Sequence, residues 1–142
     1  SDDGEPQGTA GLPMLDVIRK KGLTDVLVVS TRYFGGTLLG AGGLVRAYTG
    51  SAASALDVAQ KIEVITCNVF KTTFSYTDWS KAQKRLEERG FMVGNLDFSD
   101  TVQASLSAMP GSESELEKLV TSVSLGKSTL SPQGTQKIER KI

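Results

Sequence analysis

Residues 68–109 read NVFKTTFSYTDWSKAQKRLEERGFMVGNLDFSDTVQASLSAM, and the changing periodicity of this stretch decides the architecture of the second half of the chain. Val64, Thr66, Val69, Thr73 and Phe74 are strand formers, so 62–77 reads as one long strand or two consecutive ones. Asp78 is expected to cap a helix that runs to Arg89, with Gly90 just past its end. Segment 91–98 reads as a strand and Ser99-Asp100 as a tight turn. The alternation of Val102, Ala104, Leu106 and Ala108 then makes the returning strand of a hairpin.

Toward the C-terminus, Pro110-Gly111 breaks the hairpin, and Ser112 with Glu115 has the form of a capping box. Leu116, Leu119, Val120 and Val123 line one helix face, which Gly126 stops. A last strand falls in 127–140, interrupted at 132–134. The order β-α-β-β-α-β is that of the ferredoxin-like split βαβ motif. Asn68 is the natural joint, which places the boundary between domains 1–67 and 68–142.

Toward the N-terminus, Gly, Pro, Ser, Thr and Asp make 1–11 an irregular loop. Pro13 suits a first helical turn, Leu12, Leu15, Val17 and Ile18 give that helix an apolar side, and Gly22 ends it. The run DVLVVST at 25–31 reads as a strand buried on both faces. After the glycine-rich RYFGGTLLGAGG, apolar residues recur at helical spacing over 44–61. Gly50 sits inside that helix at a cost of about 1 kcal/mol relative to Ala, which close packing against a neighbour would explain. The fold class is therefore α+β, in two small domains.

Composition narrows the chemistry. With no histidine and one cysteine, Cys67, the chain has no Ser-His or Cys-His pair and a poor donor set for zinc. A lone thiol suits a reducing compartment, and a cytoplasmic location is expected. The longest apolar run, at 26–29, is far too short to span a bilayer, so no membrane role is expected. Sixteen basic residues balance sixteen acidic ones. Any nucleic-acid site must therefore be a local patch. The chain opens on Ser1 and not on Met, which leaves room for sequence upstream.

Three motifs carry the candidate functional residues. In SDDGEP, Asp2, Asp3 and Glu5 offer three carboxylates, suited to an Asx-type turn, a polar ligand or a divalent cation. In TRYFGG, Arg32 offers a planar fork for a phosphate or carboxylate, and Tyr33 and Phe34 offer stacking faces beside Gly35 and Gly36. The alternative reading packs one ring in the core and pairs Arg32 with Asp2, Asp3 or Glu5. In GAGGLVR, Gly42 and Gly43 feed a helix start able to seat an anion. Arg46 falls in that helix's first turn, where the macrodipole disfavours a cation and an acidic partner or bound anion would relieve it. Lys81, Lys84, Arg85 and Arg89, interleaved with Glu87 and Glu88, read as a solvated helix face. Trp79 reads as a staple at the start of that helix.

SDDGEPQGTAGLPML followed by VLVVSTRYFGGTLLGAGGLVRAY resembles the signature of the IMPACT/YigZ family, over about residues 1–60. The resemblance implies a first domain similar to ribosomal protein S5 domain 2, with strands and a helix ahead of SDDGEP, so that the domain is incomplete at its N-terminus here. It also implies a bacterial-type second domain similar to domain V of elongation factor G. It implies roles around nucleic acid or translational regulation, eukaryotic relatives being tied to control of a translation-inhibiting stress kinase. Asp2, Asp3, Glu5, Arg32, Tyr33, Gly35, Gly36, Gly42, Gly43 and Arg46 match its signature positions.

The expected function is binding, of RNA, single-stranded DNA or a ribosomal surface, with a protein partner in translational control as a further expectation. No catalytic residue, cofactor or metal is assigned. The alternatives are a metal-assisted phosphoester hydrolase using Asp2, Asp3 and Glu5, and a purely protein-binding regulator.

Overall fold

A computed structural model describes residues 1–142. The chain divides into two compact units, Ser1–Gln60 and Lys61–Ile142. No helix is long and apolar enough to cross a membrane.

In the first unit, a loop over 1–10 leads into helix α1, Gly11–Lys20. An irregular segment follows, then helix α2, Gly40–Val58. Gly22 takes a left-handed φ of 65° just past α1. Its N–H bonds to Arg19 O and that of Leu23 to Ile18 O, which closes the helix as a Schellman motif. Along α2, Leu44, Tyr48, Ala52 and Leu56 recur every fourth residue and are buried. They meet Ala10, Met14, Val17 and Ile18.

The expected strand at 25–31 differs from the structure. The segment has no regular secondary structure, opens on Asp25 at a positive φ of 53°, and pairs with no strand. Val28 packs on the Val17–Ala52–Leu56 cluster, whereas Leu27 and Val29 are 87% and 79% exposed. A strand buried on both faces needs ladder partners along its edges and packed layers over its faces, and Ser1–Gln60 contains no other strand to pair with this run. Gly50 also departs from expectation. A Cβ built there meets nothing within 4 Å, so close packing does not explain it.

The second unit contains β1 (Ile62–Phe74), α3 (Tyr76–Glu88), β2 (Met92–Phe98), β3 (Val102–Ala108), α4 (Glu113–Ser124) and β4 (Ser131–Lys141). The four strands form one antiparallel sheet in the order β2-β3-β1-β4. This is the split βαβ arrangement expected of the ferredoxin-like order. Strand β1 pairs with β4 from Ile62↔Lys141 to Lys71↔Ser131. Because that ladder begins at Ile62, the unit boundary lies at 60/61 and not at 67/68. Asn68 is no joint: its amide donates to Glu113 Oε1 (2.8 Å) at the head of α4.

One face of the sheet is covered. Phe74, Ala104, Leu106 and Val102 pack with Trp79, Ala82 and Leu86 of α3 and with Leu116, Leu119, Val120 and Val123 of α4. Helix α3 is capped by Ser75, whose Oγ accepts from Asp78 N–H (3.1 Å), so Asp78 is not the cap. Phe74 and Trp79 sit at the N′ and N4 positions with ring centroids 5.7 Å apart, as a hydrophobic staple requires. The capping box at Ser112 does not form. Its hydroxyl donates to Met109 O, and Glu115 pairs with Arg89. Glu113 instead accepts from Gly111 N–H (2.8 Å), a loop donor ahead of the helix. The carboxyl of Glu113 is held below its ordinary range by its own backbone N–H and then by the Asn68 amide.

Two stability measurements check these assignments. Gly50→Ala should stabilise the first unit by about 1 kcal/mol in denaturant unfolding, since an exposed helical glycine gains a better helix former at no steric cost. Leu106→Ala, at a fully buried site, should destabilise the second unit by about 2–5 kcal/mol. A Gly50→Ala variant that unfolds earlier, or a Leu106→Ala loss well under 1 kcal/mol, would contradict the packing described.

Candidate functional site

The SDDGEP loop is a turn. Glu5 N–H bonds to Asp2 O (3.0 Å) across Asp3 and Gly4, whose φ angles of 46° and 88° are those of a type I′ turn. Asp–Gly suits this turn because both central residues need positive φ. The Asp2 carboxylate then reaches forward to the head of α1. Its Oδ2 accepts from Gly8 N–H (2.9 Å), and its Oδ1 accepts from Ala10 (3.1 Å) and Gly11 (2.8 Å). The Ala10 cap position has no side chain able to do this, so Asp2 satisfies free N–H groups of α1 from a distance in sequence. These backbone bonds, that of Gly8 first, hold the Asp2 carboxyl below its ordinary range. The loop also runs close over Gly11, where an added Cβ would stand 2.8 Å from the Ser1 backbone.

Glu5 is the hub of the site. Its Oε1 accepts from Arg32 Nε (2.5 Å) and from Tyr48 Oη (2.7 Å), and its Oε2 accepts from Arg32 Nη2 (2.9 Å). The pair is bidentate, the geometry in which guanidinium and carboxylate match best. The Glu5 side chain is 12% exposed and that of Arg32 is 32% exposed. The Arg32 bonds, and then that of Tyr48, lower the Glu5 pKa. In return Glu5 raises the pKa of Arg32, and its hydrogen bond followed by burial raises that of Tyr48. The Arg32 guanidinium lies 5.7 Å from the Phe34 ring centroid, within cation–π range. Asp2, Asp3, Glu5, Arg32, Phe34 and Tyr48 line a cleft of about 340 Å³. A larger recess of about 510 Å³ between α1 and α2 is lined by Gly8, Leu12, Pro13 and Val45 among others, and by none of the candidate residues Asp2, Asp3, Glu5, Arg32, Tyr33, Phe34 or Arg46.

The structure thus joins Glu5 with Arg32 and leaves Arg46 out. Arg46 is exposed and forms no ion pair with Asp2, Asp3 or Glu5, contrary to the partner expected for it. It lies along its own helical turn, with Nη1 3.8 Å from where a Gly42 Cβ would be. Gly43 is closely packed, since a Cβ there would stand 3.0 Å from Leu39 Cβ and Leu39 would have to give by a few tenths of an ångström. Gly36 is required by its φ of 85°, whereas Gly35 stands in open space. The head of α2 has no side-chain cap and no acid in its first turn. Tyr33 is 90% exposed and Phe34 63% exposed, so neither ring is core. Tyr48 was legible only as an apolar position of α2. Its signal was a hydroxyl at a buried helical position, which needs a partner.

Residues 1–56 match the Impact N-terminal domain. The chain is 37% identical over 130 residues to IMPACT family member YvyE of Bacillus subtilis (strain 168), covering 92% of this chain and 60% of that protein. It is 41% identical over 88 residues to an IMPACT family member of Haemophilus influenzae, covering 62% and 43%. It is 55% identical over 56 residues to IMPACT family member YigZ of Escherichia coli (strain K12), covering 39% and 28%. A crystal structure of a hypothetical protein superposes with a TM-score of 0.55 at 30% identity, over 92% of this chain and 64% of that one. The chain therefore spans 60% or less of the length of these three relatives.

Acid should weaken the first unit. Asp2 and Glu5 have folded pKa values below their unfolded values of about 4, so their stabilisation is present above that pH and lost as pH falls through the folded values. Tyr48 acts oppositely: its contribution is complete below about pH 10 and lost above it. Unfolding followed from neutral to acid pH should show this loss in the wild type and a flatter profile in Asp2→Asn with Glu5→Gln. Identical profiles would remove both carboxylates from the account.

Proposed function

The chain belongs to the IMPACT family, and we propose that its first unit is a binding module for single-stranded nucleic acid, RNA in the setting of translation above all. The observation that carries the reading is the connection from Tyr33 to Arg46. It presents two exposed rings, a helix head without a cap, and an exposed arginine without an ion pair. Bases stack on aromatic faces whatever their identity, helix-head N–H groups receive a phosphate, and an unpaired arginine adds charge and a fork. Arg32 has a different role here. Its Nε and Nη2 are engaged by Glu5, so it anchors the loop under Phe34 and leaves contact with ligand to its neighbours.

The metal-assisted hydrolase fits less well. It needs carboxylates aimed at one point, but Asp2 is turned on backbone N–H groups and Glu5 on Arg32 and Tyr48. A second reading, a protein partner in translational control, draws support from Leu27, Val29 and Leu38, which are 79–88% exposed in a chain of zero net charge. Salt dependence separates the two, because release of counterions from a phosphate backbone weakens nucleic-acid binding as salt rises.

The test is fluorescence anisotropy of labelled single-stranded RNA and DNA at several salt concentrations. Tyr33→Ala should weaken binding about 5- to 100-fold, the loss of roughly one stacked base. Arg46→Gln should flatten the dependence of log affinity on log salt by about 0.7, one phosphate contact on a single strand. Unchanged affinity in both variants overturns this site. No binding at low salt overturns the nucleic-acid reading and favours the protein partner.

A further inference from the structure

The sheet of the second unit has one face that its helices leave open. Phe70, Thr72 and Phe74 of β1 lie opposite Leu106, Ala104 and Val102, the residues packed beneath α3 and α4. Strand side chains alternate. Lys71 and Thr73 therefore stand on the other face, with their ladder partners Ser131 and Gln103. A recess of about 390 Å³ lies there, lined by Lys71, Thr73, Gln103, Lys127, Ser131 and Gln133 among others.

Four features make it a built site. Neither Lys71 nor Lys127 is in an ion pair. No carboxylate lines the recess; of the acids on the same face, Asp97 lies opposite Gln103 and Glu63 pairs with Arg140, both outside the lining. The segment bearing Lys127 is pinned. Buried Ser128 donates its hydroxyl to Thr73 O (2.6 Å), and its N–H donates to Ser124 Oγ (3.0 Å). Finally, the β1–β4 ladder skips Gln133, because Val69 faces Gly134 and Phe70 faces Pro132. A bulge of this kind re-aims a side chain at the sheet surface.

We infer that this recess is a seat for a phosphate dianion, either inorganic phosphate or the phosphoryl group of a small monoester. Lysine ammonium groups are compact charges suited to such a dianion, and the hydroxyl and amide groups around them complete its oxygens. The lining has no apolar wall to hold a base or ring. Affinity follows the protonation of the ligand and falls below about pH 6, where the dianion takes up a proton.

The experiment is a titration of the isotope-labelled chain, followed by amide chemical shifts, with inorganic phosphate and separately with glycerol phosphate. Chloride holds the ionic strength constant. Shifts should concentrate at 71–73, 103 and 127–133. Lys71→Gln with Lys127→Gln should weaken binding about tenfold or more, and the corresponding arginine pair should restore much of it. Lys81→Gln with Lys84→Gln, on the face of α3, should change nothing. All four positions are exposed, so the fold is retained. Tighter binding of the ester identifies a monoester ligand, and equal or tighter binding of inorganic phosphate identifies the free ion. Shifts scattered over every lysine-bearing segment, an equal response to added chloride, or an unchanged dissociation constant in the Lys71/Lys127 variant would overturn the seat.

Discussion

One carboxylate, Glu5, joins three parts of the first unit that are distant in sequence. It takes Nε and Nη2 of Arg32, which belongs to the irregular segment between the helices, and the hydroxyl of Tyr48, which is rooted in the core of α2. Without it, the buried phenol loses its acceptor and the guanidinium its counter-charge, and an unmet polar group costs more than a formed bond gains. Asp2 performs the matching task at the other end of the same turn by tying the loop to the head of α1. Two of the three signature acids, Asp2 and Glu5, are thus consumed in holding the loop in place, and a rigid loop is what a binding surface needs.

That division of labour explains which residues remain for a ligand. The loop that leaves Arg32 carries its rings outward and runs into α2 with three glycines in the first turn. A capping side chain there would occupy the N–H groups that an anion could use. The second unit follows a different logic. Its helices cover one sheet face with a continuous apolar core, so polar residues such as Lys71 and Thr73 fall on the face left open by alternation alone.

The second unit was largely legible in the sequence because its signals are local. Alternation at 102–108, a glycine after each helix and an apolar helical stripe at 116–123 all act within a few residues. Its fine structure was less so. Ser75 outcompetes Asp78 as the cap because the residue just before the first helical turn has the extended backbone a cap needs. The boundary at 60/61 depended on β4, some seventy residues away, whose pairing carries β1 back to Ile62. In the first unit the apolar run at 25–31 suggested burial, but burial of a strand is a property of its neighbours. Pairing of Arg32 with an acid of SDDGEP was legible by charge. That Glu5 would be the partner, with Tyr48 as third member, was not, since only the fold brings residues 5, 32 and 48 together. Arg46 misled because α2 begins at Gly40, four residues before the expected start, which puts Arg46 not in the first turn but in the second, where the macrodipole no longer calls for an acidic partner.

The central claim is that Arg32 serves the structure while Tyr33 and Arg46 meet the ligand. The most direct measurement follows the arginine Nε–Hε and tyrosine ring resonances during addition of a single-stranded oligonucleotide. The Arg32 signal should be protected from exchange at the outset and stay in place, while those of Arg46 and Tyr33 move together. Movement of Arg32 with Arg46 and Tyr33 unchanged would contradict it.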